Sequence, residues 1–199
     1  MPNPTCTPQP QTQTPKGKGP LAALVGTAAA IALLTIIPKD ESGRTVEVTV
    51  EDDGTITSRH VSGKQYLEAY VDMVGVVTIC DGDTSDVRRG QVATEAECQA
   101  RLERQLVAHA KPVLRCVPAL AHPDRQNQLI ASVSLAYNIG PSGFCGSSVA
   151  RRFNRGQWAT GCHNMMLWNK VRVNGRLVPV RGLTLRRARE RKLCLEGLV

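Results

Sequence analysis

The longest apolar run in the chain, Leu21 to Ile37, carries no charge over 17 residues. That length is at the short limit for a helix that spans a bilayer. Six alanines, with Gly26, Thr27 and Thr35, dilute its Leu and Ile. Three readings compete. A cleaved signal sequence needs small residues just after the apolar core, and Ile36-Ile37-Pro38-Lys39-Asp40 stands there instead. A helix packed into a globular domain needs a polar face, and 21–37 supplies none. The pattern therefore predicts one N-terminal membrane anchor helix over 20–38. Lys16 and Lys18 would then lie on the cytoplasmic side. Residues 1–19, rich in Pro, Thr and Gln, read as a disordered tail.

Beyond the run the period changes to two. Val46, Val48 and Val50 alternate with polar residues, and Asp53-Gly54 follows. This is the pattern of a hairpin with a tight turn, placed in a linker over 39–62. A helical period follows in the C-terminal domain, 63–199. Thr94-Glu95-Ala96-Glu97 is a capping box, opening a helix that carries Cys98, Leu102, Leu106 and Ala110 on one face and ends near Pro112. Asp124 to Ile139 reads as a second helix with Leu129, Ile130, Val133, Ala136 and Tyr137 on one face and Gly140 as its stop. Along Arg181 to Lys192, Leu185, Ala188, Leu193 and Cys194 would form a buried stripe and leave the arginines solvated.

Composition narrows the class. With 42% apolar and 21% charged residues, the chain is neither wholly disordered nor a multi-span membrane protein. The net charge of +8 is uneven, because residues 151–199 hold 12 Lys and Arg against 2 Asp and Glu. A one-sided basic end points to an anionic partner. The basic stretch lacks interleaved aromatics and any DNA-binding motif, which argues against nucleic acid. Trp158 and Trp168 read as core residues. Seven cysteines suggest an oxidising compartment. The absence of a Cys-x-x-Cys pair argues against zinc, and no metal site is expected. Leaving Cys6 aside, pairing neighbours is the simplest disulfide scheme: Cys80–Cys98, Cys116–Cys145 and Cys162–Cys194.

The densest motif runs from Gly63 to Thr84. It reads as two short strands turned at Asp72 to Gly75, then a Gly-containing loop. The string Ala69-Tyr70-x-Asp72-x-x-Gly75-x-x-Thr78-Ile79-Cys80-x-Gly82-x-Thr84 resembles the active-site hairpin of phage-type lysozymes, glycoside hydrolase family 24. Further segments are similar to that family, among them Ala136-Tyr137-Asn138-Ile139-Gly140 and Arg186-Arg187-x-x-Glu190. The resemblance covers roughly 63–197. With the apolar run ahead of it, the whole looks like a signal-anchor-release endolysin. It implies an α+β, mostly helical lysozyme-like domain with a small β-hairpin subdomain. It also implies a monomer that cleaves the β-1,4 bond between N-acetylmuramic acid and N-acetylglucosamine in peptidoglycan, with no cofactor. Asp72 would activate water and Thr78 would hold it. Tyr70 and Asn138 would lie near the glycan. The domain would work in the periplasm, anchored in or released from the inner membrane.

One departure bears on the chemistry. Inverting hydrolysis needs a general acid in addition to the carboxylate that activates water. In the resembled family that acid is a Glu nine residues before the Asp, and here Gly63 stands there. His60 is the first candidate acid, since an imidazolium titrates near neutral pH. Glu68, and Glu51, Asp52 and Asp53 from the hairpin, are others. Without an acid the chain would be an inactive peptidoglycan-binding or lysis-regulating anchored protein. A lytic transglycosylase is a closer variant.

Overall fold

The computed structural model describes residues 19–72 and 75–198. The expected tail with Lys16 and Lys18, and the centre of the Asp72–Gly75 turn, lie outside them.

The apolar run is two helices rather than one anchor helix. α1 (Pro20–Val25) and α2 (Thr27–Glu41) meet at Gly26, whose φ of 85° is open to glycine and costly for other residues. Leu21, Ala22, Val25, Ala29, Ala30, Leu33, Leu34 and Ile37 are all buried in the main core. Among the described residues no helix is long and apolar enough to cross a membrane. The expectation of a single 20–38 helix is corrected here, and so is the argument that the run lacks a polar face. Thr35, Lys39 and the backbone of Gly26 face outward, and the alanines let α2 lie close to its neighbours. α2 also continues through Pro38 to Glu41, beyond the expected end.

The predicted hairpin forms from β1 (Thr45–Val50) and β2 (Ile56–Ser62), paired antiparallel with Val50 opposite Ile56. Val46 and Ile56 are buried, whereas Val50 at the far end is exposed. A second hairpin pairs β3 (Tyr70–Val71) with β4 (Val77–Thr78). The capping box opens α3 (Glu95–Cys116), with Thr94 Oγ1 accepting from the Glu97 N–H. α3 runs past Pro112, where it was expected to end. Its last turn is held by buried Val113 and the Cys116–Cys145 bridge.

α4 (Gln126–Ile139) is the central helix, buried continuously from Gln128 to Ala136. α2, α3 and α5 (Pro141–Cys145) pack against it, and α6 (Ser148–Phe153) follows and packs on α5 and α7 (Trp158–Asn164). The chain then makes a third hairpin, β5 (Lys170–Val173) with β6 (Arg176–Pro179), and closes with α8 (Arg181–Leu195) against α4 and α7. The three disulfides join Cys80 to Cys98, Cys116 to Cys145 and Cys162 to Cys194.

α8 keeps part of the expected arrangement, with Cys194 buried and Leu193 packed on the core, and departs from it at Leu185, Arg186 and Arg187. Arg186, Arg187, Glu190 and Cys194 are its buried residues, and Leu185 is 51% exposed. A buried arginine survives only with partners. Arg187 meets Glu190 at 2.7 Å and Asn138 at 3.1 Å. Arg186 finds its partners outside its own helix as well as within it.

Candidate active site

The β3–β4 ladder assembles three of the expected residues. Tyr70 stands opposite Thr78, and the turn beyond them begins at Asp72. The Asp72 carboxylate accepts the Val76 N–H at 2.8 Å, and its own N–H donates to the Val76 carbonyl at 2.9 Å. This double tie fixes the carboxylate at the mouth of the hairpin. Thr78 is buried, and its hydroxyl donates to the Val76 carbonyl at 3.1 Å. Tyr70 packs on Tyr66 with ring centroids 4.5 Å apart.

The expected acids lie elsewhere. His60 is in β2, where its N–H donates to the Glu95 carboxylate at the start of α3, and its Nδ1 is buried without a hydrogen-bond partner. Glu68 is exposed and bridges Val92 through its backbone. Glu51, Asp52 and Asp53 occupy the exposed tip of the β1–β2 hairpin.

A carboxylate that the sequence reading passed over stands at the end of α2 instead. Glu41 ends α2, and its Oε1 accepts from Arg186 Nη1 at 2.6 Å. Its side chain is 24% exposed, so it is partly sheltered yet open to a ligand. Arg186 is clamped in turn by Glu190 at 3.3 Å, Asp40 at 3.5 Å and the Ser134 carbonyl at 3.3 Å. Arg189 makes a second ion pair to Asp40. Burial works against the charge on Arg186, but Glu41, Glu190 and Asp40 outweigh it and hold the guanidinium above its ordinary value. Burial pushes the Glu190 carboxyl up against the opposing pull of Arg187, Ser134 and Arg186.

The two carboxylates share a neighbour. The Tyr70 phenol is raised above its ordinary value, first by burial, then by Tyr66 and the charges of Asp72, Asp81 and Glu41. Glu41 and Asp72 therefore both lie within electrostatic reach of one hydroxyl. Asn138 joins through Arg187, which also binds Glu190 and so leads to Arg186.

The reason Glu41 is hidden in the sequence is geometric. A Cβ on Gly63 would stand 2.7 Å from Arg44 Cα and 2.9 Å from the Gly43 carbonyl oxygen. The chain leaves at Gly43, makes the β1–β2 hairpin, and returns beside its departure point at Gly63. A count of nine residues back from Asp72 stops on the near side of this excursion, and Glu41 lies on the far side. The root of the excursion is locked to the loop after Thr78. Arg44 Nε and Nη2 donate to the two Asp81 oxygens at 2.8 and 2.6 Å, both residues being buried, and Ser42 Oγ donates to Asp81 at 3.0 Å. Tyr137 donates to the Asp81 carbonyl at 3.3 Å from the opposite side. The signal available in the sequence was a self-contained hairpin pattern directly after Glu41-Ser42-Gly43.

The arrangement offers a sheltered carboxyl held by a cation, a second carboxylate at a hairpin mouth, and a buried hydroxyl nearby. Comparisons with known proteins bear on the family. A SAR-endolysin of Pseudomonas phage phiKMV is 39% identical over 129 residues, covering 64% of this chain and 78% of the relative. A SAR-endolysin of Enterobacteria phage P21 is 31% identical over 178 residues, covering 89% and 94%. Among solved structures, an endolysin from Escherichia coli O157:H7 phage FAHEc1 superposes with a TM-score of 0.65 at 27% identity, covering 84% of this chain and 92% of that one. The phage lysozyme family model matches residues 62–190, well over half of the sequence, and the chain belongs to that family.

Proposed function

We propose that this phage lysozyme, acting as an endolysin, hydrolyses the β-1,4 bond between N-acetylmuramic acid and N-acetylglucosamine with Glu41 as general acid. Asp72 activates the water and Thr78 holds it. Tyr70 and Asn138 border the glycan. The muramidase activity follows from the family. The assignment of the acid rests on the 2.6 Å ion pair between Glu41 and Arg186, beside a tyrosine that also feels Asp72. The acid must protonate the leaving oxygen while the base works on the opposite face of the sugar, roughly 6.5–9.5 Å away in inverting enzymes. The rival reading of an inactive wall-binding protein drew on the missing Glu at position 63, and Glu41 removes that ground.

Muropeptide release from purified sacculi tests the assignment. Glu41→Gln and Asp72→Asn should each slow release at least about a hundredfold, with reducing ends and no anhydro-sugar in the wild-type products. His60→Ala and Glu68→Gln should keep wild-type rates. A dead His60→Ala beside an active Glu41→Gln would overturn the assignment.

The finer localisation belongs to the same proposal. Before release, the Leu21–Ile37 run would lie in the inner membrane with the domain, a monomer, in the periplasm. After release, the same side chains would fill the core as α1 and α2. Two relatives described as SAR-endolysins support this reading. So does the dilution of the run by Ala, Gly and Thr, which puts it near the insertion threshold.

A further inference from the structure

The β5–β6 ribbon is the part of the molecule that the fold uses least. All eight strand residues are exposed. The strands are joined by Asn174-Gly175, with φ of 47° and 80°, the turn that matches the natural twist of a hairpin. A lone two-stranded ribbon is marginal in water, so an uncovered apolar face on one calls for an explanation.

Its register sorts the side chains. Val171 stands opposite Val178, and Val173 opposite Arg176. Cross-strand partners share a face, so the three valines lie together. They are 40%, 43% and 48% exposed for Val171, Val178 and Val173. The other face carries Lys170, Arg172 and Leu177, the leucine 60% exposed. Arg172 donates to the neutral Gly175 carbonyl at 2.8 Å, which leaves its charge uncompensated there. The sequence holds no Asp or Glu from Arg125 to Arg189.

We propose that this ribbon is a lipid-binding finger that seats the folded enzyme on an anionic bilayer surface. The valine face enters the boundary between headgroups and acyl chains, Arg176 on that face reaches lipid phosphates, and Lys170 and Arg172 on the opposite face add to the attraction of the anionic surface. Apolar area plus cations is the combination that holds a segment in that interface, with long basic side chains extending to the charged layer. Glycan is a poorer fit, because three branched aliphatic side chains offer its hydroxyls no hydrogen bond. Nucleic acid is poorer still, since the ribbon has no aromatic ring for a base to stack on. The inference rests on the reading that the released enzyme works beside the inner membrane.

Flotation of the full-length, disulfide-intact protein with vesicles tests it. Vesicles of phosphatidylethanolamine and phosphatidylglycerol should carry the wild type, and pure phosphatidylcholine vesicles should carry far less. Each of Arg172→Gln and Arg176→Gln should weaken binding about fivefold. Val171→Ser with Val173→Ser and Val178→Ser should reduce binding to the anionic vesicles to the level of the phosphatidylcholine vesicles or below. All these residues are exposed, so unfolding midpoints and sacculus hydrolysis should match wild type. Unchanged vesicle binding in both sets would overturn the proposal and assign binding to the N-terminal run or to another basic face. Retained vesicle binding with lost sacculus binding would make the ribbon a wall contact, also overturning it. Sacculus hydrolysis is scored separately, so a failed lysozyme assignment would be recognised as such.

Discussion

Arg186 illustrates how a residue's role depends on what the fold puts against it. In sequence it is one arginine in a basic helix. In the structure it pairs with three carboxylates from two helices, and its removal would leave Glu41, Asp40 and Glu190 without their shared cation. Arg186→Ala should cost about 3–5 kcal/mol of stability, read by thermal unfolding, and should slow sacculus hydrolysis by displacing Glu41. Arg186→Lys should retain more of the fold than of the activity, because an ammonium cannot reproduce the guanidinium fork. Asp81→Asn isolates Arg44, and a drop of similar size is expected there. Asp83 adds a pH dependence. Burial raises its carboxyl, but the Ser85 N–H, Arg101 and Gln105 outweigh that and hold it below the ordinary value of 3.8. A depressed folded value means its stabilisation is complete above that ordinary value and is lost as the pH falls through the folded one. Unfolding midpoints of wild type and Asp83→Asn should therefore differ most near neutral pH and converge as the pH falls well below that ordinary value.

Elements tell a similar story about spacing. The motif around Asp72 was legible because a tight hairpin keeps sequence spacing and spatial spacing in step. The acid was not, because the β1–β2 hairpin separates Glu41 from Gly63 in the chain while Gly43 and Gly63 touch in space. Replacing residues 45–62 with a short Gly-Ser link should leave muramidase activity measurable at low temperature. The same replacement would remove His60, Glu51, Asp52 and Asp53 together, so abolished activity in a folded protein would restore one of them as the acid. Losing buried Val46 and Ile56 should lower stability by about 3–6 kcal/mol. Helix ends followed the same logic: Pro112 reads as a stop in sequence, but α3 continues because Val113 and the Cys116 bridge hold its final turn.

At the scale of the whole molecule, the proposed release would have one segment serve two environments. The side chains that would face lipid in an inserted helix are the ones packed in the core, with Ala29, Ala30, Leu33 and Ile37 fully buried. Both states cannot hold them at once, so folding of the core would draw the run out of the membrane. Thr27→Leu with Thr35→Leu raises the apolar character of the run at positions that are half-buried and exposed. The variant should fold normally when purified, yet remain in the membrane fraction of cells. Its appearance in the soluble periplasm at wild-type levels would argue against this competition. The disulfides fasten the assembled form. Cys162→Ser with Cys194→Ser, which opens a bridge of sequence separation 32, should lose about 3 kcal/mol and loosen α8 and its hold on Glu41.

By itself the sequence determined the family, the hairpin that carries Asp72 and Thr78, and the capped start of α3. Each of these rests on short-range geometry, where residue spacing translates directly into position. Tertiary structure alone decided that the apolar run is core, that α8 turns Arg186 and Arg187 inward, and that Glu41 meets Arg186 across 145 residues of chain. These depend on which surfaces are left for a segment to cover, and a buried charge is stable only where a distant partner completes it.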